Sequence, residues 1–151
     1  MKDYIRDYAT AAFWFYAKNG KSAEKYKEQI YNQVIEEMNK KEVTVKDGVS
    51  KPIESIIMAA EKAVDEKIAE IKDMEAVEKV LAEFNSSWKY RHIVHVIEQV
   101  YFKEADKEIS LGDIQNRVIA ASIDIPASER SIYYWLRKAR ELFAYHRGLR
   151  I

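Results

Sequence analysis

The chain contains no cysteine. That excludes a disulfide framework and thiolate chemistry, and it suits a reducing, cytoplasmic setting. Glycine and proline are scarce, at four and two residues of 151, which argues against an all-β fold assembled from tight turns. Long apolar runs are missing as well. The longest stretch without a charge, residues 8–17, is far too short to span a bilayer, and the opening residues show no signal-peptide pattern. No Gly-rich phosphate loop and no catalytic signature stand out, so a non-enzymatic protein without a cofactor is expected.

What the chain has is helix-forming sequence. Nearly half of the residues are apolar and a third are charged, enough to bury a core beneath a solvated surface. Net charge is zero, but it is unevenly spread. Residues 1–87 hold 14 basic and 17 acidic side chains, net −3, and residues 88–151 hold 11 and 8, net +3. Residues 126–151 concentrate that excess, with six basic and two acidic side chains. Such segregation is what an anionic partner at one end of the chain would require.

Apolar spacing places a first helix over residues 2–18, ending at Asn19 and Gly20. Its stripe is Tyr4, Ile5, Tyr8, Ala11, Ala12 and Phe15. Phe13, Trp14 and Tyr16 fall outside that stripe, so the helix is apolar almost all round and is either deep in the core or packed on a second surface such as a homodimer contact. A second helix follows Ser22, with Tyr26, Ile30, Val34 and Met38 on one face. Residues 40–48 read as a polar connection with weak support for a strand. From Pro52, suited to a first turn, a stripe through Ile53, Ile57, Ala60, Val64, Ile68 and Ile71 continues to Met74, Val77, Leu81 and Phe84. It is either one long helix or two broken near Lys72 and Asp73. Asn85, Ser86 and Ser87 mark the best boundary, dividing a helical packing or self-association region (1–86) from a module at 87–151.

Three helical patterns fill that module. The first covers residues 88–103, with Ile93, Val96, Ile97, Val100 and Tyr101 inward. The second opens at Ser110 with Asp113 three residues on, the spacing of a capping box, and turns Leu111, Ile114, Val118 and Ala121 to one side. Pro126 interrupts, and the third begins at Ser128 and runs to about His146. This succession is the plan of a helix-turn-helix, and the fold class expected is all-α. The last helix divides its faces: Ile132, Trp135, Leu136, Ala139, Leu142 and Phe143 inward, and Arg130, Tyr133, Tyr134, Arg137, Lys138 and Glu141 outward. Long cationic donors on a helix backed by apolar residues are what major-groove reading needs. Ser128 and the free N–H groups of the first turn can hold a phosphate. The competing view is an amphipathic helix whose basic face is simply solvated.

The segment SERSIYYWLRKAREL at residues 128–142 resembles the recognition-helix segment of sigma-factor region 4. It is more similar still to sigma-region-4-like regulators of late transcription in Gram-positive phages and prophages, the ArpU/RinA-like group, and the likeness covers about 60 C-terminal residues. The opening MKDYIRDYATAAF is similar to proteins of that group too. The resemblance implies a sequence-specific DNA-binding transcription regulator. It assigns base or groove contact to Ser128, Arg130, Ser131, Tyr133, Tyr134 and Arg137, with Lys138 and Arg140 nearer phosphate, and RNA polymerase as a partner beside duplex DNA. Two departures stand out: Asp113-Ile114-Gln115 replaces the usual Glu-Ile-Ala start, and the turn at residues 123–127 lacks glycine. No promoter-melting segment is present, so a stand-alone sigma factor is not expected. The alternatives are a helical structural or interaction protein that keeps the motif as scaffold, and a phage DNA-packaging subunit. His92, His95 and Glu98 lie three apart on one helix, but they fan out around it and fall short of the four ligands zinc prefers. His146 is placed to interact with a helix C-terminal dipole.

Overall fold

The computed structural model describes residues 1–44, 53–107 and 110–151, with only the backbone described for 41–44 and 111. Residues 40–44 of the stretch where a strand was weakly supported are helical instead, continuing α2 to Thr44, and residues 45–48 lie outside the described residues. So do the Pro52 start and part of the loop before Ser110. The described chain is all-helical: α1 (Asp3–Lys18), α2 (Ala23–Thr44), α3 (Ile53–Glu66), α4 (Ile68–Asn85), α5 (Arg91–Ile97) running on as a π-helical turn (Glu98–Phe102), α6 (Leu111–Asp124) and α7 (Glu129–Arg147). Among the described residues no helix is long and apolar enough to cross a membrane.

Helix α1 is rotated relative to the expected stripe. Its buried side chains are Ile5, Ala9, Ala12, Phe13 and Tyr16, whereas Tyr4 and Tyr8 are exposed. The reason is tertiary. The helix packs on α4, on the π turn and on α7, and Phe13 lies between the rings of Tyr101 (5.4 Å) and Phe143 (5.8 Å). Trp14, also off the expected stripe, donates its indole N–H to the Ala105 carbonyl at 2.8 Å. A helix lined by three elements cannot keep a single apolar stripe.

The long stripe at residues 53–84 divides at Lys67 (φ −103°, ψ 15°), not at Lys72 or Asp73. Asp73 instead sits inside α4 and bonds to Arg147 and Tyr8. Helix α3 packs chiefly along α2. Ile56 and Ala60 form its buried edge, while Ile53 and Ile57 stay exposed. Among the described side chains of α2 only Ala23 is buried; Tyr26, Ile30, Val34 and Met38 are half-buried. The two helices form an arm, and α2 joins it to the body by contacts with α4.

The body has one core. Ala9, Phe13, Met74, Val77, Val80, Val96, Ile97, Val100, Tyr101, Val118, Ala121, Ile132, Leu136 and Phe143 all belong to a single cluster of buried side chains. It runs across the division at Ser87, where the chain makes a turn between α4 and α5. Residues 98–102 widen to a π turn that places Val100, Tyr101 and Phe102 inward in succession. The Val100 carbonyl accepts from Arg117 Nη1 at 3.0 Å, which satisfies a backbone group in a distorted helix.

Candidate nucleic-acid interface

Helix α7 is defined at both ends by local chemistry. Ser128, extended at φ −72° and ψ 155°, accepts from the Ser131 N–H through its hydroxyl at 3.1 Å. Pro126 keeps α6 from running through. At the far end Gly148 is left-handed (φ 73°). The Leu149 N–H returns to the Ala144 carbonyl at 2.9 Å, and that of Gly148 to Tyr145 at 3.1 Å, closing the helix. The preceding helix is fixed likewise. The Ser110 hydroxyl accepts from the Asp113 N–H, and the Asp113 carboxylate accepts from the Ser110 N–H at 3.0 Å, so the expected capping box is present. Those bonds hold the Asp113 carboxyl below the usual carboxylate range.

The inner face of α7 follows the sequence reading. Ile132, Leu136, Ala139 and Phe143 are buried, and Trp135 and Leu142 are half-buried against the same core. These contacts reach α4, α5, α6 and α1, so the helix cannot roll. The outward face carries Arg130, Tyr133, Tyr134, Arg137 and Lys138, all exposed. Tyr133 and Tyr134 are 44 % and 55 % exposed, enough to present both a ring face and a hydroxyl. Arg137 Nε is 3.1 Å from Glu141 one turn on. Lys138 Nζ lies 5.4 Å from the centre of the Tyr134 ring.

Two of the expected contact residues are placed differently. Arg140 does not join the outward face. It is half-buried, its Nη1 donates to the Tyr101 hydroxyl at 2.8 Å, and its Nε is buried without a partner among the described residues. The approach of the π turn draws that guanidinium inward, away from any phosphate. The Ser128 hydroxyl is occupied in the cap and donates to Ser131 Oγ at 3.0 Å, so an anion there would meet backbone N–H groups rather than that hydroxyl.

The remaining polar side chains brace the frame. His95 Nε2 is 2.9 Å from Asp124 at the end of α6, while His92 packs against the Trp135 ring at 4.4 Å; the two histidines do not converge. The His95 contact lowers the Asp124 carboxyl, with Gln99 contributing. His146 lies in the last turn of α7, at the C-terminal end where the dipole role was expected, and also contacts Glu83 of α4 at 2.7 Å. Arg147 Nε meets Asp73 Oδ1 at 2.6 Å, and the Tyr8 hydroxyl donates to the same carboxylate at 2.8 Å. Burial alone would lower the Arg147 pKa, but the bond and charge of Asp73 raise it.

Sequence reading passed over one feature. Beside α7, Phe84, Lys89, Tyr90, His92, Ile93, Tyr134, Trp135 and Lys138 line an open groove of about 540 Å³. The alternation of aromatic and basic residues at 88–91, just after the two serines, was its visible signal. No protein-family model, curated protein or solved structure matches the chain.

Proposed function

We propose that the chain is a sequence-specific DNA-binding transcription regulator that lays α7 in the major groove. One observation carries the reading: the inner face of α7 is locked into the core while Arg130, Tyr133, Tyr134, Arg137 and Lys138 share its open face. Helices α5 and α6 both pack on α7, which supports reading the last three helices as a helix-turn-helix. Phosphate contacts from Lys138 and from the first-turn N–H groups would position the helix, and Arg130 and Arg137 would select bases. The Arg137–Glu141 pair does not stand in the way. An exposed i,i+4 pair is worth about 0.3–0.5 kcal/mol, whereas a bidentate contact to guanine contributes about 1–3 kcal/mol of discrimination. RNA polymerase is the partner that the likeness to sigma region 4 adds, and the α2–α3 arm offers the surface for it or for a second copy of the chain.

The test is a selection from random duplexes followed by anisotropy titration across salt. Affinity should fall steeply with rising salt, because bound phosphates release counterions. Arg137→Ala should weaken the selected site by about 1–3 kcal/mol with an unchanged helical spectrum. Binding without a salt slope, or retention of no duplex at all, would leave a scaffold role. A ring-sized mass in solution would favour a packaging subunit.

A further inference from the structure

The groove beside α7 has walls of one chemical kind. Phe84 from the end of α4, Tyr90 from the turn into α5, and Tyr134 and Trp135 from α7 supply flat rings. The edge-on contact of His92 with Trp135 at 4.4 Å fixes the plane of the indole. Tyr90 and Tyr134 are 46 % and 55 % exposed, so ring surface faces the opening. The cations stand at those rings: Lys89 Nζ is 5.7 Å from the Tyr90 ring centre and Lys138 Nζ is 5.4 Å from that of Tyr134. Among the described residues no carboxylate lines the groove.

Flat apolar walls with lysines and no acid match a planar aromatic group carrying negative charge. The bases of an intact duplex are stacked inward and present only their edges, so they cannot enter a side groove. An unpaired nucleotide can, and it offers a π-face to each ring and a phosphate to each lysine. The volume lies within the range of ligand sites. We propose that this groove binds single-stranded nucleic acid, stacking an unpaired base against Tyr90, Tyr134 and Trp135 and pairing the flanking phosphates with Lys89 and Lys138. The groove shares Tyr134 and Lys138 with the face assigned to duplex DNA, but it does not depend on that face reading a duplex.

The experiment titrates the whole chain into a fluorescein-labelled oligothymidylate and into the same backbone without bases, following anisotropy. The oligothymidylate should bind at least about fivefold tighter than the abasic strand, since stacking is worth about 1–3 kcal/mol per base. Tyr90→Leu keeps the apolar bulk of this exposed position but removes the ring, and should cost a similar factor. Tyr90→Phe should retain binding. Neither change should alter retention of a duplex, whereas Arg130→Ala should weaken the duplex and leave the single strand bound, which separates failure of this inference from failure of the duplex reading. Equal affinity for the abasic strand, or unchanged binding by Tyr90→Leu, would overturn the stacking site. So would failure of oligothymidylate to bind while a glutamate-rich peptide bearing tryptophan does, because the groove would then belong to a protein partner.

Discussion

Replacing Asp73 with alanine should destabilise the fold by about 2–3 kcal/mol. The carboxylate joins three elements, accepting from Arg147 Nε at 2.6 Å and from the Tyr8 hydroxyl at 2.8 Å. The Asp73 and Arg147 side chains are 15 % and 20 % exposed. A fully buried pair costs about 3–5 kcal/mol when one partner is removed, because the other charge is stranded; an exposed pair costs at most about 1 kcal/mol. This pair lies closer to the buried limit, so about 2 kcal/mol is assigned to the stranded guanidinium. The Tyr8 hydroxyl adds a few tenths, since water reaches that side chain in its place. Urea unfolding followed by circular dichroism measures the loss, and thermal unfolding should drop by about 4–10 °C. A double-mutant cycle with Arg147→Ala should return a coupling above about 1 kcal/mol. A loss under about 0.5 kcal/mol, or additive single effects, would refute the placement of this pair between the buried and exposed limits.

Three further outcomes follow from local chemistry. Burial, with Glu78 beside it, pushes the Tyr16 hydroxyl up to about 12, and burial with Glu70 does the same to Tyr26. The folded state therefore holds these protons more tightly than the unfolded chain. Their contribution is complete below pH about 10 and is lost as pH rises toward 12, so Tyr16→Phe should flatten the alkaline limb of a pH–stability profile. Ser110→Ala removes one acceptor of the capping box and should cost about 1 kcal/mol, read by chemical denaturation. Gly148→Ala meets no atom within 4 Å of the added Cβ, so its cost is the left-handed backbone alone, about 1 kcal/mol, seen as a lower melting temperature.

The parts of this fold that were legible in sequence are those fixed within a turn or two of chain. The Ser110 and Asp113 cap, the Ser128 start and the Ile132–Leu136–Ala139–Phe143 face of α7 all follow from spacing, and the structure places each of them as read. What depends on distant elements was not. The break at Lys67 carries neither glycine nor proline; α3 turns there to follow α2 while α4 follows α1 and α7. The rotation of α1 reflects its insertion among three neighbours, which no single periodicity encodes. Arg140 occupies a boundary position on α7, and only the π turn bearing Tyr101 decides that it points inward. The groove beside α7 combines residues from α4, the turn before α5, and α7, and none of those stretches shows a concave surface by itself.

Because Phe13 is sandwiched between rings from the π turn and from α7, residues 87–151 are no detachable cassette. Excising residues 87–151 would strip the amino-terminal helix and α4 from the back of α7 and leave Phe143 and Tyr101 facing water, a loss of several kcal/mol from a small fragment. Moving α7 onto another protein would have to carry both ends of the chain with it, and its sequence is open to change only at residues on its outer surface.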